Sequence, residues 1–413
     1  MSALIPSNTD AWQAYHFHLQ LLALILTVPL SAWAEGADDV QFRASLGTIH
    51  DSNLFRLPNG ANAQALFGSS STSETIGVSS LGLHINKAYS LQRVELDASV
   101  VDYRYQNFSY LNFTAYDYNA TWRWSYTPHL YGNVTSSRDQ ALNSYADFQG
   151  FQQRNVRVST NSRIDGTVEI DANWRLLAGV GQSALNNSLL LTQEPNYRET
   201  SADASARYML PSGSSAGYRI RKSDGSYLSN RQIPSPGFYD NGYTQTDNDL
   251  LATWAISRDT SADLRAGYRS RKHPHYPQRN FGGMTGAASF NWAITGKSAV
   301  IAGWTRELSP YESQNSNFTR IDRLSIGPVW QVSPKITVRL NLDHETRDFR
   351  GSPGSFVATQ RRDTSRNAGM SVAWQPFTYL ALDASLQNLR RVSNLQGFDY
   401  TTNTFNLAAR ITY

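Results

Sequence analysis

Toward the C-terminus the chain alternates between apolar and polar positions. Val338, Leu340 and Leu342 lie on one face of an extended segment, and Thr337, Arg339, Asn341 and Asp343 on the other. Leu380, Leu382, Ala384 and Leu386 oppose Ala381, Asp383, Ser385 and Gln387 in the same way, and Met370, Val372 and Trp374 oppose Ser371, Ala373 and Gln375. Near the N-terminus, Val94, Leu96, Ala98 and Val100 oppose Glu95, Asp97 and Ser99. One such strand fits any soluble sheet. A long series of them needs an apolar medium on one side and tolerates charge on the other, which predicts a barrel in lipid around a wet interior. Past the N-terminal segment no stretch sustains a helical period.

Strands are predicted over 39–49, 74–86, 91–104, 115–126, 130–140, 154–171, 174–184, 199–210, 216–222, 245–257, 262–271, 285–296, 299–308, 321–332, 336–346, 363–375, 379–389 and 404–413. Every second connection is short, as in Thr127-Pro128-His129, Lys297-Ser298 and Ser333-Pro334-Lys335. The others are mostly longer and rich in Gly, Asn, Ser and Pro, as in Asp51 to Ser73, Ser223 to Thr244 and Arg347 to Arg362. Such alternation belongs to a meander whose hairpin ends face two compartments, short turns in the periplasm and long loops outside. The fold class is therefore all-β, a single closed antiparallel transmembrane β-barrel of 18 strands. Sixteen strands is the alternative, because the segment from Asn155 to Ala184 is ambiguous. Trp122, Trp124 and Tyr126 approach one short turn, Trp174 follows another, and Trp330 and Trp374 precede two more. Rings with one apolar and one polar edge suit the headgroup layer, so these predict an aromatic girdle, with ordinary sheet aromatics as the plainer reading.

The N-terminus has a different pattern. Leu19 to Leu30 is nearly continuous apolar sequence, and Ala32-Trp33-Ala34 supplies a small-x-small cleavage site. Residues 1–34 read as a secretory signal peptide and 35–413 as the outer-membrane barrel, with Glu35 as the mature start. Met1 to His18 holds no Lys or Arg, a departure from the usual basic flank.

Composition narrows the classes further. Only 40% of residues are apolar and mean hydropathy is -0.45, yet there are 22 Tyr, 17 Phe, 10 Trp and no Cys. This excludes a bundle of membrane helices, a disulfide scaffold and any site that needs a thiolate. The formal charge of +4 is small and the opposite charges are interspersed, so no nucleic-acid partner is expected.

Candidate chemistry is sparse. His273 and His275, in Lys272-His273-Pro274-His275-Tyr276-Pro277, could in principle grip a metal. The intervening Pro, Lys272 and Arg271 beside them, and the lack of an acid close in sequence, favour a plain surface loop. His344-Glu345 could seed acid–base chemistry, but Arg347 and Asp348 nearby suggest a charge cluster. No nucleophile-elbow motif is present, so no catalytic residue is assigned and the chain does not read as an enzyme. Gly179-Val180-Gly181-Gln182-Ser183-Ala184 matches the loose dinucleotide fingerprint but opens no helix; in a wall strand such glycines permit curvature or close side-chain passage. No cofactor and no metal site follow.

The interior carries the remaining expectation. Glu95, Asp97, Arg123, Arg339, Asn341, Asp343, Asp383 and Gln387 are candidate lumen-lining residues, fitting a hydrated conduit, a bridged wall, or both. A barrel this wide admits an aqueous channel unless a loop fills it. Candidate plugs are Asp51 to Ser73 and Ser223 to Thr244, the latter carrying Tyr227, Arg231, Phe238, Tyr239 and Tyr243 as contacts for a solute such as a sugar. Exposure outside as mere loop residues is the plainer reading.

Gly47-Thr48-Ile49-His50-Asp51-Ser52-Asn53-Leu54-Phe55-Arg56 resembles the early signature of EpsL-like outer-membrane β-barrel porins, a family associated with exosortase and exopolysaccharide biosynthesis. Strand rhythm, loop alternation and the ending Arg410-Ile411-Thr412-Tyr413 extend the likeness through most of the chain. It implies a pore for export or biosynthesis of extracellular polysaccharide. Partners would be outer-membrane lipid, the secreted polysaccharide, and periplasmic and inner-membrane synthesis and export proteins. The terminal face Phe405, Leu407, Ala409, Ile411 and Tyr413 resembles the signal read by the outer-membrane assembly machinery. Two other readings stand beside it: a general small-solute diffusion porin, and a closed structural or adhesive barrel whose loops bind polymer.

Overall fold

The computed structural model describes residues 39–68, 71–148, 153–189, 195–228, 240–313, 315–351 and 360–413. The proposed signal segment, 1–34, lies outside them. Among the described residues eighteen strands form one sheet: β1 (Val40–Asp51), β2 (Glu74–Tyr89), β3 (Gln92–Tyr105), β4 (Phe113–Thr127), β5 (Leu130–Leu142), β6 (Val156–Glu169), β7 (Trp174–Asn187), β8 (Tyr197–Met209), β9 (Ser215–Tyr227), β10 (Gly242–Ser257), β11 (Thr260–Lys272), β12 (Phe281–Thr295), β13 (Ser298–Pro310), β14 (Phe318–Ser333), β15 (Ile336–Arg350), β16 (Arg362–Phe377), β17 (Leu380–Ser393) and β18 (Tyr400–Thr412). Each pairs antiparallel with the next, and β1 pairs with both β2 and β18. The sheet thus closes and leaves no unpaired edge, the condition that lipid imposes on spanning strands. The ambiguous segment holds two strands, β6 and β7, joined through residues 170–173, which removes the sixteen-strand alternative.

Registers sort the two faces, because residues directly opposite on neighbouring strands share a face. One row runs Leu340, Met370, Leu386, Phe405, and all four are exposed. The row below it, Val338, Val372, Ala384, Leu407, is also aliphatic. This is the lipid-facing band. Near the turn end Trp122, Tyr126, Trp174, Trp330, Trp374 and Tyr413 are exposed on the same outer surface, as a girdle requires. Trp124 is less exposed because it lies across Gly132 and Gly166 on the two following strands.

Most strands run past their predicted outer ends, whereas β6 falls short of the predicted 154–171. β9 continues to Tyr227 and β10 starts at Gly242, where alternation predicts 216–222 and 245–257. Beyond Lys222 the chain reads Ser223-Asp224-Gly225-Ser226, with no apolar face to mark a strand, because the sheet there has risen above the lipid band. A helix, α1 (Ala63–Phe67), also escapes the pattern: five residues are too few to show a period. The Asn62 side chain caps its start and Gly68, at φ 66°, ends it.

Gly179 has a specific task. Arg163 on β6 reaches over β7 to Asp203 on β8, with contacts of 2.5 and 3.0 Å, and a Cβ at Gly179 would overlap its guanidinium. Gly179→Val is expected to displace Arg163 and lower barrel stability by about 1–3 kcal/mol. Urea unfolding in lipid vesicles measures this, and an unchanged midpoint would count against the assignment.

Candidate functional site in the lumen and its outer mouth

The inner face carries the polar positions. By register Glu95, Asp97, Arg123, Arg339, Asn341, Asp343, Asp383 and Gln387 all lie opposite the lipid-facing rows. Arg123 Nη2 donates to Glu95 Oε2 at 3.0 Å, and Arg43 and His84 both reach Asp97 Oδ1, at 2.9 and 2.7 Å. Asn341 and Asn367 donate to Asp343 Oδ2 at 2.8 and 2.9 Å, Gln387 donates to Asn367, and Arg410 stands 3.8 Å from Asp383. Arg339 has no such partner among the described residues. Across the barrel, Arg219 and Arg265 converge on Asp249, and Arg269 pairs with Asp247 at 2.6 Å. The wall is therefore bridged from strand to strand, and most of its charges are matched in place.

The described parts of three loops turn inward at the outer end: L1 (52–68 and 71–73), L2 (106–112) and L3 (143–148 and 153–155). Phe55 of L1 is fully buried, edge-on to Phe108 at 4.8 Å and to Tyr145 at 4.9 Å. Leu54, Leu57, Ile76, Tyr105 and Leu111 complete the cluster. A hydrophobic core thus sits inside the barrel, against the inner wall of β2 and β3, rather than between two sheets. Local polar contacts bend the chain there. Asp51 accepts from the Asn53 N–H at 2.9 Å, from Thr402 Oγ1 at 2.6 Å, and from Arg56. The Asn53 side chain accepts from the Leu57 N–H and donates to the Leu57 and Thr401 carbonyls. Buried Glu74 then accepts from the backbone N–H groups of Gln106, Asn107 and Phe108, locking L2 to the end of L1.

L3 reaches the opposite wall. Its 3-10 turn Tyr145–Asp147 presents one carboxylate to three guanidiniums: Arg347 on β15 at 2.9 Å, Arg361 before β16 at 2.7 Å and Arg391 on β17 at 3.1 Å. Arg391 also donates to the Ala146 carbonyl. Arg361 is held between the rings of Phe349 and Phe398, 4.3 and 3.7 Å from their centroids. Burial alone would raise the Asp147 pKa, but the three arginines outweigh it and hold the carboxyl below its ordinary range. Beneath this clasp lies a cavity of about 600 Å³ whose lining includes Arg157, Arg323, Asp343, Glu345, Arg347 and Arg391.

A second cluster braces the mouth elsewhere. Tyr227 and Tyr243, at the ends of β9 and β10, are buried with rings 5.6 Å apart. Their hydroxyls donate to Glu312 at 2.6 Å and to Glu199 at 2.7 Å. Arg231, Phe238 and Tyr239 lie outside the described residues. His273 is buried 3.8 Å from Glu312, and burial pushes its pKa down, while His275 faces solvent beside Asp240 at 2.9 Å. Acids distant in sequence thus do reach these histidines. Among the described residues, however, no group of three or more His, Asp or Glu is placed to hold a metal. His344 and Glu345 point to opposite faces of β15, so they serve no common substrate.

Fold and interior together define a bacterial outer-membrane β-barrel of porin type. Residues 252–413 match the model of a family described as "Putative beta-barrel porin 2". Among solved structures the chain is similar to OpdK of Pseudomonas aeruginosa, with 12% identity over 91% of this chain and 99% of that one, at a TM-score of 0.50. It is also similar to OccK2 (OpdF) of the same organism in complex with glucuronate, with 11% identity over 91% and 98% and a TM-score of 0.51. OpdO, from that organism too, shows 14% identity over 91% and 98% and a TM-score of 0.51. At these identities the likeness is one of fold. No curated protein matches the chain.

Proposed function

We propose that the chain is a narrow outer-membrane channel for small hydrophilic solutes. Residues 1–34 would export it to the periplasm, where the assembly machinery inserts it. The observation that carries this reading is the bridged polar lumen narrowed at its outer mouth by L1–L3 and the Asp147 clasp. The cavity below the clasp has the size of a site for one small molecule. Paired charges on the wall favour polar cargo without sorting strongly by sign. That OccK2, of similar fold, was solved with glucuronate supports small acidic sugars among the cargo.

Export of an extracellular polysaccharide is the second reading, and one observation favours it. The segment that carries the resemblance to EpsL-like porins is the same one that builds the inward turn, through Asp51, Asn53, Phe55 and Arg56. In that case periplasmic and inner-membrane export proteins would displace the mouth to pass a polymer. Planar-bilayer recording on the purified protein separates the two. Small steady conductance that glucuronate competes for, with a reversal potential near zero, supports the solute channel. Block by the polymer, together with loss of surface polysaccharide on gene deletion, supports export. No current under any condition would defeat both.

A further inference from the structure

One part of the outer surface does not fit a plain lipid-facing band. His344, Arg366 and Arg390 form a single cross-strand row on β15, β16 and β17. They lie on the same outward face as Leu340, Met370 and Leu386, two positions above Leu342, Ala368 and Asn388. Arg366 and Arg390 are exposed, and neither they nor His344 have a hydrogen bond or ion pair among the described residues. Two arginines directly opposite each other have Cβ atoms about 5 Å apart, and like charges in that position repel. On the inner face such charges are matched by acids; here no acid among the described residues pairs with them.

Their height says what does. Counting up from Ile336 and Trp374, within the aromatic girdle, His344 lies about 27 Å along its strand, at ~3.4 Å per residue. A tilt of about 40° reduces this to roughly 20 Å along the membrane normal, against an apolar band about 25 Å tall. Long arginine side chains from that row reach the outer headgroup layer. Immediately above it Arg306, Arg320, Arg350 and Arg362 share only two carboxylates, Asp322 and Asp348. The outer part of this wall therefore presents an excess of guanidinium groups.

We propose that the outward face of β15–β17 binds the phosphate groups of a phosphorylated glycolipid of the outer leaflet, with Arg366 and Arg390 as a two-armed clamp. Two guanidiniums at this spacing suit one phosphate, each donating in the fork geometry that arginine offers to oxyanions. This assignment is independent of what passes through the lumen.

The test is a crossed stability comparison of the wild type with Arg366→Gln/Arg390→Gln. In neutral detergent, with no anion to bridge the pair, the variant is expected to unfold at the same temperature as the wild type or higher. In vesicles containing diphosphorylated lipid A the order reverses, and lipid A retained through purification, measured by native mass spectrometry, falls about tenfold. Dephosphorylated lipid A should give neither effect, and the lumen variant Arg339→Gln should behave as wild type. Equal retention by wild type and variant, or equal effect of dephosphorylated lipid, would overturn the proposal. So would full stabilisation by inorganic pyrophosphate alone or by an acidic polysaccharide, since the ligand would then not be the lipid.

Discussion

Asp147→Asn is expected to widen the outer mouth and raise single-channel conductance. One carboxylate from L3 joins three arginines of the opposite wall; Arg361 and Arg391 keep Asp363 and Arg347 keeps Glu345, so its loss breaks the link between the loop and that wall. Because the arginines keep other acids, the cost falls below the about 3–5 kcal/mol of breaking an isolated buried pair, and it leaves the loop tip held across the barrel by the Arg391 hydrogen bond to the Ala146 carbonyl. The pH dependence follows from the same geometry. The Asp147 pKa is depressed below its ordinary 3.8, so its contribution is fully present above that value and lost as pH falls through the lower, folded-state pKa. Acidification from pH 7 to 5 should leave wild-type conductance unchanged, with a step upward appearing only below 3.8. The Asn variant should start open and show no such step. Identical conductance for the two proteins at neutral pH would mean that the clasp does not limit the path.

Phe55→Ala has the next largest expected effect. The ring is wholly buried between Phe108 and Tyr145, and truncating a buried Phe costs about 3–5 kcal/mol. The loss falls on the loop core and leaves the strand ladder intact. The barrel should therefore keep its heat-modifiable mobility on gels while L1 becomes open to protease. Phe42→Ala supplies the contrast, because that ring faces outward on β1 and is exposed. Protection of L1 as in the wild type would show that Phe55 does not hold the loop.

How far the sequence reveals this protein differs between wall and mouth. The wall is legible because lipid enforces a period of two: Leu340 must face out wherever Arg339 and Asn341 face in. Strand tops such as Ser223–Tyr227 lose that signal once both faces leave the lipid. Gly179 is readable as a place of close passage, but Arg163 and Asp203 as the pair that passes are not. The mouth is the hardest part. Asp147 lies two hundred residues or more from the arginines it gathers, and in sequence it is one acid among many polar loop residues. Glu74 and Glu312 are similarly silent. Tyr227 and Tyr243 stand out as loop aromatics, yet nothing local shows that carboxylates from β8 and from the connection between β13 and β14 accept from their hydroxyls.

Alternation and connection length by themselves determined a closed barrel of strands with lipid outside and charge inside, since each strand meets both media and records them in its own residues. Tertiary structure alone decided that the first three loops fold inward, which arginines receive Asp147, and that Arg366 and Arg390 stand side by side on the outward face. Those facts depend on register around the full circumference and on contacts between segments far apart in the chain. No local pattern encodes them, because the energy that selects them appears only when the barrel has closed.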